Sequence, residues 1–476
     1  MPEYLYRFRP IESLLGKHTE LESQEIYFAP LHQLNDPMEG HKDIFWKGDE
    51  IVWKNLFIHY LMCFEQICSL QLIAGNTIEI SSPDIPVFKT KAEFSAPEYT
   101  KIFEEICNLF FENSSVQNYP KGLAARTSPV RRSELYFYLR MLHPHAINCI
   151  FSIYEKHNLV DKKHSITNDY KVMGFESLET PNNIDREHKN ISEHIFFATN
   201  HTIQQLDLIT KLNNESLTTD KNKQFSILDF PEKYTKQLED IVHPEWYTAC
   251  FMGSCSNSSM WGNYGGKHEG VCLKFKIDNS ESLPFIKLYG IKGWGGSGEK
   301  SDPIYGDINH QFHKIRYSKK LPEIDFFKSL GRHSIPDLMS MWYTDENGKL
   351  SVCAKHLFSN EEKWRNDYWK KFSNVTVTKL KDWKYENEYR LILSGTITDY
   401  SEVNTRKLKY SFQDLDGIIF GINTSEQNKL RILKIIDAKC TKEKRSDFKF
   451  YQAFYSKQTG SIDHQELNFL TPNRKS

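Results

Sequence analysis

Hydrophobic positions recur every second residue near both ends of the chain, and every third or fourth residue through much of its middle. Tyr4–Phe8 and Glu25–Phe28 alternate as strands do, with a short helix expected over Ile11–Leu15. Leu34-Asn35-Asp36-Pro37-Met38-Glu39-Gly40 reads as a turn, because Asn and Asp hydrogen-bond their own backbone and Pro fixes φ. Ile51–Ala74, Pro97–Phe111 and Glu134–His157 carry the helical spacing, and the polar, Pro-punctuated Ser81–Pro86 and Asn113–Pro129 predict connections. The β pattern resumes at Trp246–Phe251. A polar turn over Ser254–Ser259 then caps a helix at Met260–Tyr264, stopped by Gly265-Gly266 before a strand at Gly270–Lys276. Lys292–Gly306, with four glycines in Gly293–Gly298, is expected to be loop. Helical spacing returns at Pro336–Trp342 and Val352–Phe372, and Leu415–Gly421 predicts a last strand before a helix at Glu426–Ile436. Strands, then a helical block, then strands argue an α+β fold with an antiparallel-rich sheet, and not the alternation of a Rossmann or TIM fold. The expected division is a core from residues 1–45 and 241–476, with a mostly helical insertion over 46–240.

Tyr385-Glu386-Asn387-Glu388-Tyr389-Arg390-Leu391-Ile392-Leu393 is the most informative segment. Read as a strand, it sets Glu386, Glu388 and Arg390 on one face. Adjacent carboxylates repel, so the pair must be exposed, neutralised or used in chemistry. The plain alternative is a solvated edge on which Arg390 neutralises its neighbours.

Composition narrows the class. The chain has 476 residues, 39% hydrophobic and 26% charged, as in ordinary soluble globular proteins, and its length exceeds a usual single core. A formal net charge of −1 gives no global drive toward nucleic acid or an anionic membrane, and leaves room for a local basic groove. Nine scattered cysteines without a C-x-x-C pair point to buried thiols in a reducing cytosol. The N-terminus lacks an apolar signal core, and Lys54, His59 and Glu65 interrupt the most apolar long segment. A cytoplasmic protein without a membrane span is expected.

Other motifs carry less. Gly293-x-x-x-x-Gly298-Glu299-Lys300-Ser301 approaches a phosphate loop but places Glu299 where lysine is needed, so a surface loop or lid is expected. For a metal nuclease, Asp36, Glu39 and Asp43 with Lys42 lie around a turn and not on paired strands, and Asp382, Glu386 and Glu388 lack a lysine at the expected offset. His143-Pro144-His145 reads as a loop or cap, and no metal site is expected.

Three separated pieces together resemble the bacterial domain of unknown function family 2971. They are Leu5-Tyr6-Arg7-Phe8 with Ile26-Tyr27-Phe28 and Leu34-Asn35-Asp36-Pro37; Met260-Trp261-Gly262-Asn263-Tyr264 with Gly270-Val271-Cys272-Leu273; and Trp383 through Leu391. Ile418-Ile419-Phe420-Gly421 resembles that family's ending. The same pieces are similar to a diverged ADP-ribosyltransferase core, with Ser256–Tyr264 resembling the Ser-rich turn and Tyr of poly-ADP-ribose polymerases. The resemblance implies a split sheet, NAD as substrate without a metal, and catalytic roles for Arg7, Tyr264 and Glu388. Arg7 would anchor ribose or phosphate, Tyr264 would face the nicotinamide, and Glu388 would be the catalytic carboxylate. Glu386, Trp261, Ser258 and Asn35 would contact substrate, with Glu386 orienting the acceptor. The activity so implied is glycosyl transfer of ADP-ribose to an unknown protein or nucleic-acid acceptor, in a bacterial toxin or anti-phage defence setting, with the helical insertion offering a surface to a protein partner. The alternatives are an NAD glycohydrolase, a metal-dependent nuclease and a non-catalytic nucleotide-binding module.

Overall fold

The computed structural model describes residues 2–75, 77–90, 93–94, 96–161, 191–296, 302–395 and 398–472. The chain is an α+β protein whose sheets are open and mostly antiparallel. It divides into two units: Met1–His41 with Pro244–Pro322 and Ser373–Ser476, and Lys42–His243 with Glu323–Phe372. Residues 323–372, which the linear pattern places with the core, cluster with the helices. Helical spacing shows that a segment has a buried face, not which neighbours cover it.

The first unit is built on one large sheet. Its strands are β1 (Tyr4–Arg9), β2 (Trp246–Met252), β3 (Val271–Lys276), β4 (His313–Lys314), β5 (Glu388–Ser394), β6 (Leu415–Phe420), β7 (Lys449–Ser456) and β8 (Ser461–Glu466). They lie in the order β4-β5-β2-β1-β3-β6-β7-β8, and Ala29–Pro30 pairs with β2. Only β6 and β7 run parallel among these pairings. One face packs on the helix Glu426–Glu443 through Ile432, Ile436 and Cys440, joining a core with Leu5, Phe251, Leu273 and Phe275. The opposite face buries Phe8, Met260 and Trp261.

A second antiparallel sheet joins Glu25–Tyr27, Lys407–Tyr410, Phe285–Gly295 and Asp302–Gln311. Lys292–Gly306 is therefore not wholly loop. Gly293, Gly295 and Gly306 sit in a long hairpin, where a register shift between Ile291 and Gly293 absorbs the irregularity. Residues 297–301 of the glycine motif lie outside the described residues.

The second unit groups the helices Glu50–Ala74, Pro97–Glu112, Ser114–Ala124, Arg132–Lys156, Ile191–Asn213 and Phe230–Val242, with a small sheet of Glu323–Asp325, Asp43–Trp46 and Val130–Arg131. Two stretches expected to be irregular are helical. Asn113 caps Ser114–Ala124 by accepting from the backbone of Ser115 and Val116, and Val116, Tyr119 and Leu123 are its buried stripe. Pro144 lies inside Arg132–Lys156, where buried His143 is fixed by the Tyr60 hydroxyl at 2.7 Å and the Ser226 carbonyl at 2.6 Å. Glu50–Ala74 is long and apolar enough to cross a membrane by length and composition, yet most of that window is buried in the protein. The residues that interrupt it have partners: Lys54 donates to Glu346 at 2.8 Å, His59 Nδ1 meets the Tyr234 hydroxyl at 2.7 Å, and Glu65 accepts from Tyr154 at 2.6 Å. Burial, only partly offset by the hydrogen bonds from Tyr154 and Gln66, lifts the Glu65 carboxyl to about 7.

Candidate functional site

The large sheet is interrupted beside its first strand. Along β3, β1 is paired from Tyr4 to Arg9, and along β5, β2 is paired from Trp246 to Met252. Between themselves, β1 and β2 register only at Tyr6 opposite Met252 among the described residues. Part of the freed edge of β2 is taken by Ala29–Pro30 instead. The gap opens into a cleft of about 340 Å³ whose lining includes Arg7, Asn35, Glu39, Cys250, Tyr264 and Lys379.

Arg7 is buried in this gap. Its Nη2 donates to the Tyr27 carbonyl at 3.0 Å, while Nη1 meets no hydrogen-bond partner among the described residues. Burial, with Arg9 close by, lowers its guanidinium to about 10. A buried cation with one unmatched donor edge is ready for an anion.

Tyr264 stands just past the helix Ser258–Asn263, which Asn257 caps by accepting from the Ser259 backbone at 2.8 Å. The Tyr264 hydroxyl lies 2.7 Å from Glu386 Oε1 and 2.7 Å from Asn35 Oδ1. A phenol has one proton, so it donates to one of these and accepts from the other, through a turned Asn35 amide or a protonated Glu386.

Behind Tyr264 lies a buried charge cluster. Lys379 Nζ reaches Glu386 at 2.7 Å and both Glu388 and Glu39 at 3.4 Å. Arg390 grips Glu388 with Nε at 2.6 Å and Nη2 at 3.1 Å, and its Nη1 meets Glu39 at 2.8 Å and the Thr376 carbonyl at 3.0 Å. None of these five side chains is more than 4% exposed. Three carboxylates face two cations, so the cluster is one negative charge in excess, and the two glutamates of the Glu-x-Glu pair separate. Burial pushes Glu388 up, but Arg390 and Lys379 outweigh it and bring its carboxyl down to about 2. Burial, joined by Glu388, raises Glu386 despite Lys379. The Tyr264 hydroxyl is raised too, by burial and then by Glu386.

The local chain explains how both carboxylates reach one lysine. Lys381–Glu386 is a 3₁₀ turn, not the start of a strand, and Asn387 takes the left-handed conformation at φ 45° before β5 begins at Glu388. Asn tolerates that region better than most residues. Gly253 faces it, donating to the Asn387 carbonyl at 2.9 Å, and any Cβ at 253 would collide with the Asn387 amide. The pair is thus held by Lys379 and Arg390 in the interior, and not on the solvated edge of the plain alternative.

Of the residues singled out from sequence, Arg7, Tyr264 and Asn35 line the cleft. Glu386 touches it through Tyr264, and Glu388 lies one layer further back against Lys379 and Arg390. Trp261 does not line it. Its ring is buried edge-on against Phe8 at 4.9 Å and its Nε1 donates to the Cys255 carbonyl, because its face of the short helix turns into the core. Ser258 is exposed at the start of that helix and is not among the lining residues. Of the rest of the cluster, Lys379 had no reading in the sequence, Glu39 only that of a nuclease carboxylate, and Arg390 only that of a neutralising charge on a solvated edge. The one signal for them was a strand otherwise apolar after Glu388 that nonetheless carries Arg390. Among the described residues no group of three His, Cys, Asp or Glu is disposed to hold a metal ion.

Residues 260–391 match a family model described as Protein of unknown function (DUF2971). The DUF2971 stretch carries Tyr264, Lys379, Glu386, Glu388 and Arg390, whereas Arg7, Asn35 and Glu39 precede it. No curated protein and no solved structure matches the chain.

Proposed function

We propose that the cleft between β1 and β2 binds NAD and that the protein transfers ADP-ribose to a macromolecular acceptor. The choice of NAD rests on the resemblance of the three motifs to ADP-ribosyltransferases. The observation that carries the reading is the convergence of Arg7, Asn35, Tyr264 and Lys379 on one cleft at a break in the sheet. The half-matched Arg7 guanidinium suits the diphosphate, and the Tyr264 ring suits a flat nicotinamide. In the reaction, the bond between the ribose C1′ and the nicotinamide nitrogen breaks, and nicotinamide leaves with the electron pair. The acceptor nucleophile then bonds to C1′ and surrenders its proton, with water as acceptor in simple hydrolysis. The transition state is positive at the ribose, so a nearby carboxylate stabilises it. Contact with Tyr264 favours Glu386 for that role. Its grip by Arg390 makes Glu388 the group that holds Lys379 and Glu386 in place, a reversal of the roles inferred from the motif alone.

The test is nicotinamide release and label transfer from NAD by purified protein in cell extract. E386Q should lower turnover ~100–1,000-fold while NAD binding persists, and R7Q should weaken NAD binding. Wild-type protein that neither binds NAD nor releases nicotinamide would end this reading. A second reading, a non-catalytic nucleotide-binding module, is favoured by the complete sealing of Glu386 and Glu388 from solvent. It predicts NAD binding without turnover in every variant.

A further inference from the structure

A second concave site lies in the helical unit, on the helix Glu361–Thr376 and the turns before it. Its volume is about 460 Å³, and it is lined by Lys328, Lys363, Lys370 and Lys371, with Asp367 as the single carboxylate. Lys328 is itself paired with Asp325 at 2.9 Å, so counted with that partner the groove carries a formal charge of +2 on a chain whose net charge is −1. The positive charge is concentrated locally. Lys363 and Lys370 are 73% and 77% exposed, and each leans on Asp367, at 3.0 and 4.0 Å. One carboxylate cannot neutralise this set.

The floor is different in character. It is made by Trp364 and Tyr368, which are nearly buried, while Ser359 and Asn360 supply neutral polar groups at the helix start. Trp364 Nε1 donates to the Lys328 carbonyl at 3.2 Å, which fixes its ring. Tyr368 is 3% exposed, and its hydroxyl meets no hydrogen-bond partner among the described residues. A buried hydroxyl left unmatched normally costs stability, and a ligand oxygen would relieve that cost.

We propose that this groove is a docking site for single-stranded nucleic acid. Lys363, Lys370 and Lys371 are spread over roughly 12 Å of helix at about 1.5 Å per residue. They form a line of point charges suited to successive backbone phosphates, not a ring around one anion. The aromatic floor beneath them supplies apolar contact for a base, and the Tyr368 hydroxyl a donor to a base or sugar edge. Recognition is sequence-tolerant, because the lysines read phosphate, which carries no sequence information. The proposal is independent of the chemistry assigned to the cleft and would stand if NAD were never turned over.

The experiment is fluorescence anisotropy of full-length protein with a short labelled oligo-dT or oligo-U strand. If about three phosphates are neutralised, affinity should fall about 20-fold between about 50 and 200 mM salt, a log–log slope near −2. The K363Q/K370Q/K371Q variant, altered only at the surface, should melt with the wild type and lose most of that slope. Y368F should weaken binding about 2- to 10-fold without changing the slope. The site is excluded if the wild type does not bind at low salt, or if the lysine variant keeps the wild-type slope. Displacement of the strand by polyglutamate of matched charge would assign the groove to acidic protein segments and overturn the proposal, as would equal displacement by a compact inositol polyphosphate.

Discussion

Glu388 is held by two nitrogens of one guanidinium, so its ionised form belongs to the folded state. Burial acts against that charge, and Arg390 and Lys379 overcome it, leaving the folded carboxyl near 2 against an unfolded value of 4.5. Between those values the unfolded chain binds more protons, so stability rises with pH across the window. It is complete above about 4.5 and lost as pH falls toward 2. The contribution is on the order of 3 kcal/mol at neutral pH. Glu386, shifted upward, works in the opposite sense: its protonated form favours folding at low pH, and that contribution fades as pH rises past the unfolded value. Urea unfolding followed from neutral to acid pH should therefore show a steeper acid loss in E386Q than in wild type. E388Q should lose stability at neutral pH by about 3–5 kcal/mol, as when one partner of a buried pair is removed, and its profile should be flatter. Matching profiles for wild type and E388Q would mean that this ion pair does not hold the site.

At the scale of the element, the telling feature is the joint between the 3₁₀ turn Lys381–Glu386 and β5. G253A would drive a methyl into Asn387 and should cost about 1–3 kcal/mol. N387G keeps the left-handed backbone and removes the obstructing amide, so the double variant should recover part of the loss. Strict additivity in thermal melts would show that the two positions do not meet. Here the sequence was legible in one respect and opaque in another. The alternation of Glu386, Glu388 and Arg390 correctly drew attention to the segment, since charge inside an apolar strand needs a reason. It could not reveal the left-handed residue at 387, because one Asn does not by itself break an alternating pattern, nor the partners Glu39 and Lys379. Lys379 belongs to a three-residue strand paired in parallel with Arg316–Ser318, too short to have a period. Glu39 comes from a turn some 340 residues earlier than Lys379, and nothing local links the two. Strands such as Tyr4–Arg9 and Val271–Lys276 were legible because alternation over five or six residues suffices. The helix Ser114–Ala124 was masked by its polar exposed face and by Pro120.

For the molecule as a whole, the large sheet draws its strands from both ends of the chain. The stretch matched by the DUF2971 model includes β3 and part of β5, but β3 is flanked by β1 and β6, both outside residues 260–391. Produced alone, that fragment should lack a cooperative unfolding transition and give poorly dispersed amide resonances. A sharp transition would mean that the fragment holds a core of its own, contrary to this pairing. The same pairing sets a clock on biosynthesis. β1 emerges from the ribosome before the other strands of this sheet, yet its neighbour β2 begins 237 residues after Arg9, since Trp246 minus Arg9 is that span. At roughly 5–20 residues per second, the nascent strand waits roughly 10–50 s before β2 exists. During that interval Leu5 and Phe8, both destined for the interior, have no sheet to join, and the chain depends on whatever shields them at the ribosome exit.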